Sequence, residues 1–212
     1  MVGEPGNGQG QAVTEAPLPA IDVHGHFGRY DRGAGLLVNE FMSADAGEVA
    51  ARARAAGIGL SLVSPLAALL PRGQANAVAG NQAALDAVAQ QPALRLYAVL
   101  HPLQPESYRQ AADMLELPYV VGLKLHPEEH VYPIRDHGDT LFRFAEAHGA
   151  VVLAHTSEAR SLAADFVEFA NRYPGVRLIL AHLGHGHDGD YTHQVRAIQE
   201  SRHGNVYTDT SS

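Results

Sequence analysis

The first apolar run of this sequence carries two histidines whose spacing suits metal binding. In residues 21–27 (IDVHGHF), His24 and His26 flank a single glycine. Alternate side chains of a β-strand point to the same side, so both rings can face one ion. Neutral imidazole is the commonest metal-binding side chain, and two rings need only one or two further ligands. The pair predicts part of a metal site, and the competing interpretation is two solvated polar residues at a strand end.

Two later apolar runs end in histidine in the same way. The run 151–155 (VVLAH) ends at His155, and the run 178–182 (LILAH) ends at His182. One such histidine is more often hydrogen-bonded to backbone than bound to a metal. The repetition favours a shared function, and we therefore expect both rings to join His24 and His26.

The run 122–127 (GLKLHP) places a lysine among the histidines. Lys124 and His126 are two residues apart and share one face of the predicted strand. A lysine that points into the interior is costly unless it meets an anion, a carboxylate or a modified partner. The alternative is a solvated strand end.

We interpret His101, which precedes Pro102, as structural.

Composition limits the class of protein. A chain of 212 residues with 46% hydrophobic and 18% charged residues predicts one globular domain with a substantial core. The net charge of -8 argues against a nucleic-acid partner. Without cysteine, any metal must be held by nitrogen and oxygen ligands. No apolar run reaches the roughly 20 residues of a membrane span, and no signal peptide is evident, so we expect a cytoplasmic protein without a membrane partner.

Short apolar runs alternate with longer amphipathic segments after a Gly- and Pro-rich stretch. Residues 1–19 are predicted to be a flexible tail, and residues 20–212 a single domain. The predicted strands are 21–26, 58–64, 94–101, 119–126, 150–155, 176–182 and 205–209. The predicted helices are 43–56, 74–91, 105–117, 139–148, 161–173 and 190–203.

This alternation predicts an α/β fold with parallel strands and right-handed crossovers. An open doubly wound sheet and a closed (β/α)8 barrel both fit the pattern. No G-x-G-x-x-G loop follows the first strand, which lowers the case for a nucleotide-binding sheet. In a barrel all carboxyl ends of the strands open on one face. The histidines would then converge, and we therefore predict the TIM-barrel type.

These motifs together resemble the amidohydrolase superfamily. The resemblance rests on His24-Gly25-His26, on residues 122–127 (GLKLHP), on 153–156 (LAHT) and on 180–184 (LAHLG). It runs from about residue 20 to residue 210. The branch it resembles is the amidohydrolase-related group of metal-dependent hydrolases and decarboxylases on a TIM barrel.

The resemblance implies roles for the site residues. His24, His26 and His155 correspond to metal ligands, and His182 to the histidine that orients or deprotonates the reacting water or binds a second metal. Lys124 corresponds to a lysine that some relatives carry as a carbamate bridge and others use for the substrate carboxylate. We expect one divalent ion, Zn²⁺ by its ligands, and an unmodified Lys124 that orients an anionic substrate group together with His126.

The sequence departs from the family pattern at its end. The family's aspartate follows an eighth strand, whereas this sequence ends at Ser212 after a seventh. We therefore expect a barrel of seven strands that lacks the eighth βα unit and its aspartate. Asp209 lies on strand seven and is not expected to replace that aspartate. The sequence fits a fragment, a degenerate relative or a chain completed by another chain.

The predicted function is hydrolysis of a C–N or C–O bond in a small, anionic substrate, with His182 as general acid or base. The alternatives are decarboxylation of a small aromatic or unsaturated acid at the same metal, and an inactive truncated relative. The partner is a small molecule, and a homo-oligomer is left open. His185 and His187 are interpreted as residues of a solvated loop. The other histidines are predicted to lie on the surface: His130, His137, His148, His193 and His203.

Overall fold

A parallel sheet organises the part of the chain that the computed structural model describes, residues 20–32 and 37–211. The predicted tail, residues 1–19, lies outside the described residues. The strands are β1 (Ala20–Phe27), β2 (Ile58–Pro65), β3 (Leu94–Val99), β4 (Val120–Leu125), β5 (Val151–Ala154), β6 (Arg177–Leu180) and β7 (Val206–Thr208). Each pairs in parallel with the next along the chain. The predicted order and direction of the strands are confirmed.

Helices connect the strands, as the amphipathic segments predict. They are α1 (Leu37–Phe41), α2 (Ala46–Ala55), α3 (Ala77–Ala89), α4 (Glu106–Leu115), α5 (Ile134–Ala147), α6 (Ala164–Arg172) and α7 (His193–Glu200). The short helix α1 and a 3-10 helix at Leu66–Ala68 were not predicted. Helix α5 begins five residues before the predicted start at 139 because Pro133 precedes it, and proline is favoured at the start of a helix.

Side-chain caps fix the starts of two helices. Asp45 accepts a hydrogen bond from the Glu48 N–H at 2.8 Å, and Asn76 accepts one from the Ala79 N–H at 2.9 Å. Each bond satisfies an N–H that has no partner within its own helix. Helix α2 packs on β1 and β2, α3 on β2 and β3, and α4 on β3 and β4. The apolar faces of sheet and helices thereby form the core.

The core brings the middle strands very close to one another. Leu96, Leu123 and Val152 are fully buried, as is Phe142 on α5. At Gly122 a Cβ atom would lie 2.3 Å from the Val151 carbonyl oxygen of the next strand. Glycine is therefore required where β4 meets β5.

The sheet curls so that its first and last strands meet at their carboxyl ends. Neighbouring strands are spaced about 4.8 Å apart, so a flat sheet of this size would separate β1 from β7 by roughly 29 Å. Instead, His24 on β1 lies 2.9 Å from Asp209, which follows β7. The described residues therefore form a curled half-barrel of seven parallel strands, as predicted. None of their helices has the length and apolar character needed to cross a bilayer.

Candidate functional site

The polar residues that the sequence singles out gather at the carboxyl ends of the strands. His24 and His26 lie near the end of β1, and Lys124 near the end of β4. Directly after β5 comes His155, and two residues beyond β6 comes His182. In a curled parallel sheet these positions share one mouth, where barrel enzymes carry their active sites.

Two imidazoles and a carboxylate converge on a single point of this mouth. Among residues 20–32 and 37–211, His24, His182 and Asp209 form the group whose ligand atoms lie within 4.8 Å of one another. The Ser211 hydroxyl oxygen lies between them. It is 2.9 Å from His24 Nδ1, 3.0 Å from His182 Nδ1 and 2.6 Å from Asp209 Oδ1. We call the position between His24 Nδ1, His182 Nδ1 and the Asp209 carboxylate the focus of the site.

His24 is held from both sides. Its Nε2 atom lies 2.8 Å from Lys124 Nζ, and its Nδ1 atom lies 2.9 Å from Asp209 Oδ2. While Lys124 is an ammonium it can only donate, so Nε2 accepts and Nδ1 carries the proton that is donated to Asp209. When Lys124 is neutral its amine can accept from Nε2–H instead, and Nδ1 then offers its lone pair to a metal ion. Lys124 is fully buried, and its amine contacts His24. The predicted contact of Lys124 with a substrate anion stays a prediction.

His182 adopts a left-handed backbone conformation with φ 69°. Its N–H donates to Asp209 Oδ1 at 3.0 Å, and its ring Nε2 lies 3.0 Å from His155 Nδ1. His155 Nε2 in turn donates to Glu158 Oε1 at 2.9 Å. A carboxylate thus orients His155, which in turn orients His182.

His26 and His126 flank the focus. The ring centroid of His26 lies 5.1 Å from that of His24, and its Nδ1 is 3.0 Å from the Ser64 hydroxyl oxygen. His126 stacks on His155 at a centroid distance of 4.0 Å. All six residues predicted for the site therefore lie in one connected cluster, whereas the predicted metal-ligand set of His24, His26 and His155 stays a prediction.

Burial keeps the imidazoles neutral. It lowers the pKa of His24 to about 4, with the Lys124 charge adding to the effect, and burial followed by the neighbouring histidines lowers the pKa of His182 to about 4. Burial also lowers the pKa of Lys124 to about 7. For Asp209, burial alone would raise the pKa, but hydrogen bonds from His24, Ser211 and the His182 N–H hold it below its usual range.

These donors fit a divalent metal ion. Neutral imidazole nitrogens and an ionised carboxylate are ligands for zinc and for similar ions. The donor atoms of His24, His182 and Asp209 are also close enough together to share one ion. The focus is therefore the candidate metal position, with His26 and His155 beside it.

A cavity of about 280 Å³ opens beside the focus. One wall is apolar and includes Leu66, Leu69 and Leu70. Another part of the lining, the polar wall, carries the predicted site histidines His26, His126, His155 and His182. Because His182 belongs both to the focus and to the cavity wall, a molecule in the cavity would lie next to the candidate metal position.

Charged residues that the sequence reasoning missed line the same cavity. The Glu129 side chain is only 1% exposed and accepts hydrogen bonds from Arg32 and from Arg72, the latter at 3.0 Å. Arg72 also lies 3.7 Å from Glu158. Arg32 itself lines the cavity and is partly exposed. The sequence signal for these charges is the acidic pair Glu128-Glu129, which directly follows Pro127.

The structure corrects two expectations. Asp209 was excluded from the site by its position on the seventh strand, yet it contacts His24 and His182 because the sheet curls. His130 was predicted to lie on the surface, but it is buried and stacks on His101 at a centroid distance of 4.1 Å. The loop histidines His185 and His187 are exposed, and His185 lines the cavity.

Solved structures share this fold at low sequence identity. A probable 2-pyrone-4,6-dicarboxylic acid hydrolase from Acinetobacter baumannii, with citric acid bound, aligns with a TM-score of 0.60 and 15% identity over 92% of this chain and 71% of that one. A zinc-bound amidohydrolase from Burkholderia multivorans aligns with a TM-score of 0.58 and 15% identity over 92% and 70%.

A dihydroorotase from Campylobacter jejuni is similar over 91% of this chain and 53% of its own, with a TM-score of 0.52 and 12% identity. None of the curated proteins matches the sequence. At these identities the structural likeness shows the fold alone. A family model described as amidohydrolase, however, matches residues 21–212, which include His24, His155, His182 and Asp209. The chain therefore belongs to the amidohydrolase family.

Proposed function

We propose that this protein is a metal-dependent hydrolase that cleaves a C–N or C–O bond of a small, anionic substrate. The observation that carries the proposal is the convergence of His24, His182 and Asp209 on one focus beside the cavity. These three residues would hold one divalent ion, which we propose to be zinc. Such an ion polarises a carbonyl group and lowers the pKa of a reacting water.

His155 is the proposed proton acceptor. Ionised Glu158 can only accept, so His155 Nε2 carries the proton and the Nδ1 lone pair accepts from His182 Nε2, 3.0 Å away. His155 would therefore take up a proton once this contact with His182 opens. A proton that arrives at Nδ1 would be stabilised by the carboxylate 2.9 Å from the other ring nitrogen. The sequence-based alternative gives this role to His182 and makes His26 and His155 ligands. Metal content of the His182→Ala and His155→Ala variants distinguishes the two assignments.

The cavity supports a small substrate with an apolar body and an anionic end. Leu66, Leu69 and Leu70 offer an apolar wall, and Arg32 offers a partly exposed guanidinium. Arginine suits carboxylates because its planar fork donates two parallel hydrogen bonds. The Acinetobacter baumannii structure, which carries citric acid, agrees with a carboxylate ligand in this fold. His126 remains the proposed second contact on the polar wall.

Metal content and turnover test the proposal together. Purified protein, His24→Ala, Asp209→Asn and the exposed control His148→Ala are compared by elemental analysis after equilibration with zinc. We expect about one equivalent of zinc in the native protein and in the control, and much less in the two site variants. The same proteins are then assayed on lactones and amides that carry a carboxylate.

Zinc-dependent ring opening or amide cleavage would support the proposal, provided that it disappears in His24→Ala. Equal zinc in all four proteins, or cleavage that persists in the metal-free protein, would refute it. Release of carbon dioxide from an aromatic or unsaturated acid, without hydrolysis of any ester or amide, would establish the decarboxylase alternative instead.

A further inference from the structure

A fully buried glutamine on α7 contacts both loops that carry the site histidines. The Gln194 Nε2 atom lies 2.9 Å from the His182 carbonyl oxygen and 3.2 Å from that of His185, in the loop after β6. It also lies 2.7 Å from the Ser157 hydroxyl oxygen and 3.2 Å from that of Thr156, in the loop after β5. One amide group therefore joins the loops that follow His155 and His182.

The orientation of this amide is fixed by its neighbours. Carbonyl oxygens can only accept, so the NH₂ group must face His182 and His185. The Thr156 hydroxyl donates to the Ala181 carbonyl at 2.6 Å, so its oxygen also acts as an acceptor toward Gln194. The Gln194 carbonyl oxygen is buried and has no hydrogen-bond partner among the described residues. Gln194 accordingly acts as a donor to both loops.

The two loops need such support because each contains a strained residue. Ser157 has φ 86° and His182 has φ 69°, and neither is glycine. Left-handed conformations at such residues persist only where surrounding contacts enforce them. The His182 N–H is held by Asp209, and its carbonyl group is held by Gln194. The two peptide groups that flank the His182 Cα atom are therefore both held by side chains.

We propose that Gln194 is the positioning residue of the site, because it holds the strained backbone that directs the His182 ring to the focus. It touches neither the focus nor the cavity and acts only through His182 and the loop of His155. This inference rests on the proposed function for its effect on metal binding and turnover. Its effect on the loops is independent of that function.

The test replaces Gln194 with methionine, which retains most of the volume and removes both N–H donors. Gln199→Met is the matched control because Gln199 lies exposed on the same helix. Hydrogen exchange of the metal-free proteins is measured by mass spectrometry. In Gln194→Met we expect exchange at least tenfold faster in peptides covering 182–187 and 155–161, and unchanged exchange in the peptide covering β3.

Zinc titration and steady-state kinetics supply the second readout. Loss of residues that orient metal ligands typically weakens metal affinity or activity by roughly 10 to 100-fold. We expect a decrease of that size in zinc affinity and in kcat, with KM changed less than threefold, because Gln194 contacts neither the apolar wall nor Arg32, the parts of the cavity proposed to bind the substrate. Gln199→Met should match the native protein in both measurements.

Unchanged loop exchange together with zinc affinity within twofold of native would overturn the inference. If Gln194→Met exchanges faster everywhere, Ser157→Ala decides, since it removes the acceptor at 2.7 Å and leaves the core intact. Faster exchange confined to the two loops in Ser157→Ala supports the inference, and native exchange there refutes it. Should the native protein bind no zinc at all, the proposed function fails while the exchange data still test Gln194.

Discussion

Protonation of His130 should destabilise the fold at mildly acidic pH. The ring is buried, stacks on His101 and donates from Nε2 to the Ala68 carbonyl oxygen at 2.9 Å. Nδ1 is buried and has no hydrogen-bond partner within the described residues. A proton added at Nδ1 would create a buried charge with no acceptor among the described residues. Burial, with the His101 charge adding to it, therefore lowers the pKa of His130 to about 3.

The size of the effect follows from linkage. The ordinary pKa of histidine is 6.5, so between pH 6.5 and about 3 the unfolded chain binds a proton that the folded chain does not. The contribution of neutral His130 to the free energy of unfolding is fully present above pH 6.5. It decreases by about 1.4 kcal/mol for each pH unit below that value. Between pH 6.5 and 4.5 the loss from His130 alone is about 2 to 3 kcal/mol.

Urea unfolding at pH 7, 5.5 and 4.5, with a chelator present, measures this loss. The proteins are native, His130→Leu and the control His148→Leu, which removes an exposed imidazole. Between pH 7 and 4.5 the native free energy of unfolding should decrease by about 2 to 3 kcal/mol more than that of His130→Leu. His148→Leu should follow the native protein. Parallel curves for native and His130→Leu, within about 0.5 kcal/mol, would refute the reasoning.

Two further substitutions test the packing and the focus. Gly138→Ala places a Cβ atom 2.2 Å from the buried Phe169 ring, and it should lower the free energy of unfolding, measured by urea titration, by about 1 to 3 kcal/mol. The control Gly47→Ala on α2 should change that free energy much less. Equal stability of the two variants would contradict this. Ser211→Ala removes the hydroxyl from the focus, so zinc affinity measured by titration should stay within threefold of native or increase. A tenfold loss of affinity would show that the hydroxyl belongs to the metal site.

The sequence predicted the strands because their continuous apolar runs are what a parallel sheet buried on both faces requires. It also predicted the gathering of His24, His155 and His182, since parallel strands place their carboxyl ends on one face. The predicted start of helix α5 at 139 is wrong, because the apolar pattern does not include the helix-start signal of Pro133. That error was correctable from sequence, since proline at a helix start is a local signal.

Asp209 could not be predicted in the same way. Its approach to His24 joins residues that are 185 positions apart and depends on how strongly the sheet curls, which no local pattern encodes. The two partners of Glu129 could not be predicted from the sequence for a similar reason. Arg32 and Arg72 come from different loops, and only the tertiary fold brings both guanidiniums to one carboxylate.

The charge of the buried Lys124 affects whether a cation can enter the focus. Lys124 Nζ lies 2.8 Å from His24, so its positive charge would repel an ion held by the same ring. For a lysine of ordinary pKa 10.5, loss of that charge at pH 7 costs about 5 kcal/mol. Burial lowers the Lys124 pKa to about 7, which reduces that cost to about 1 kcal/mol or less. The burial of Lys124 thus makes a cationic neighbour compatible with a metal site, and a substitution that admits water around Nζ would weaken metal binding without touching a ligand.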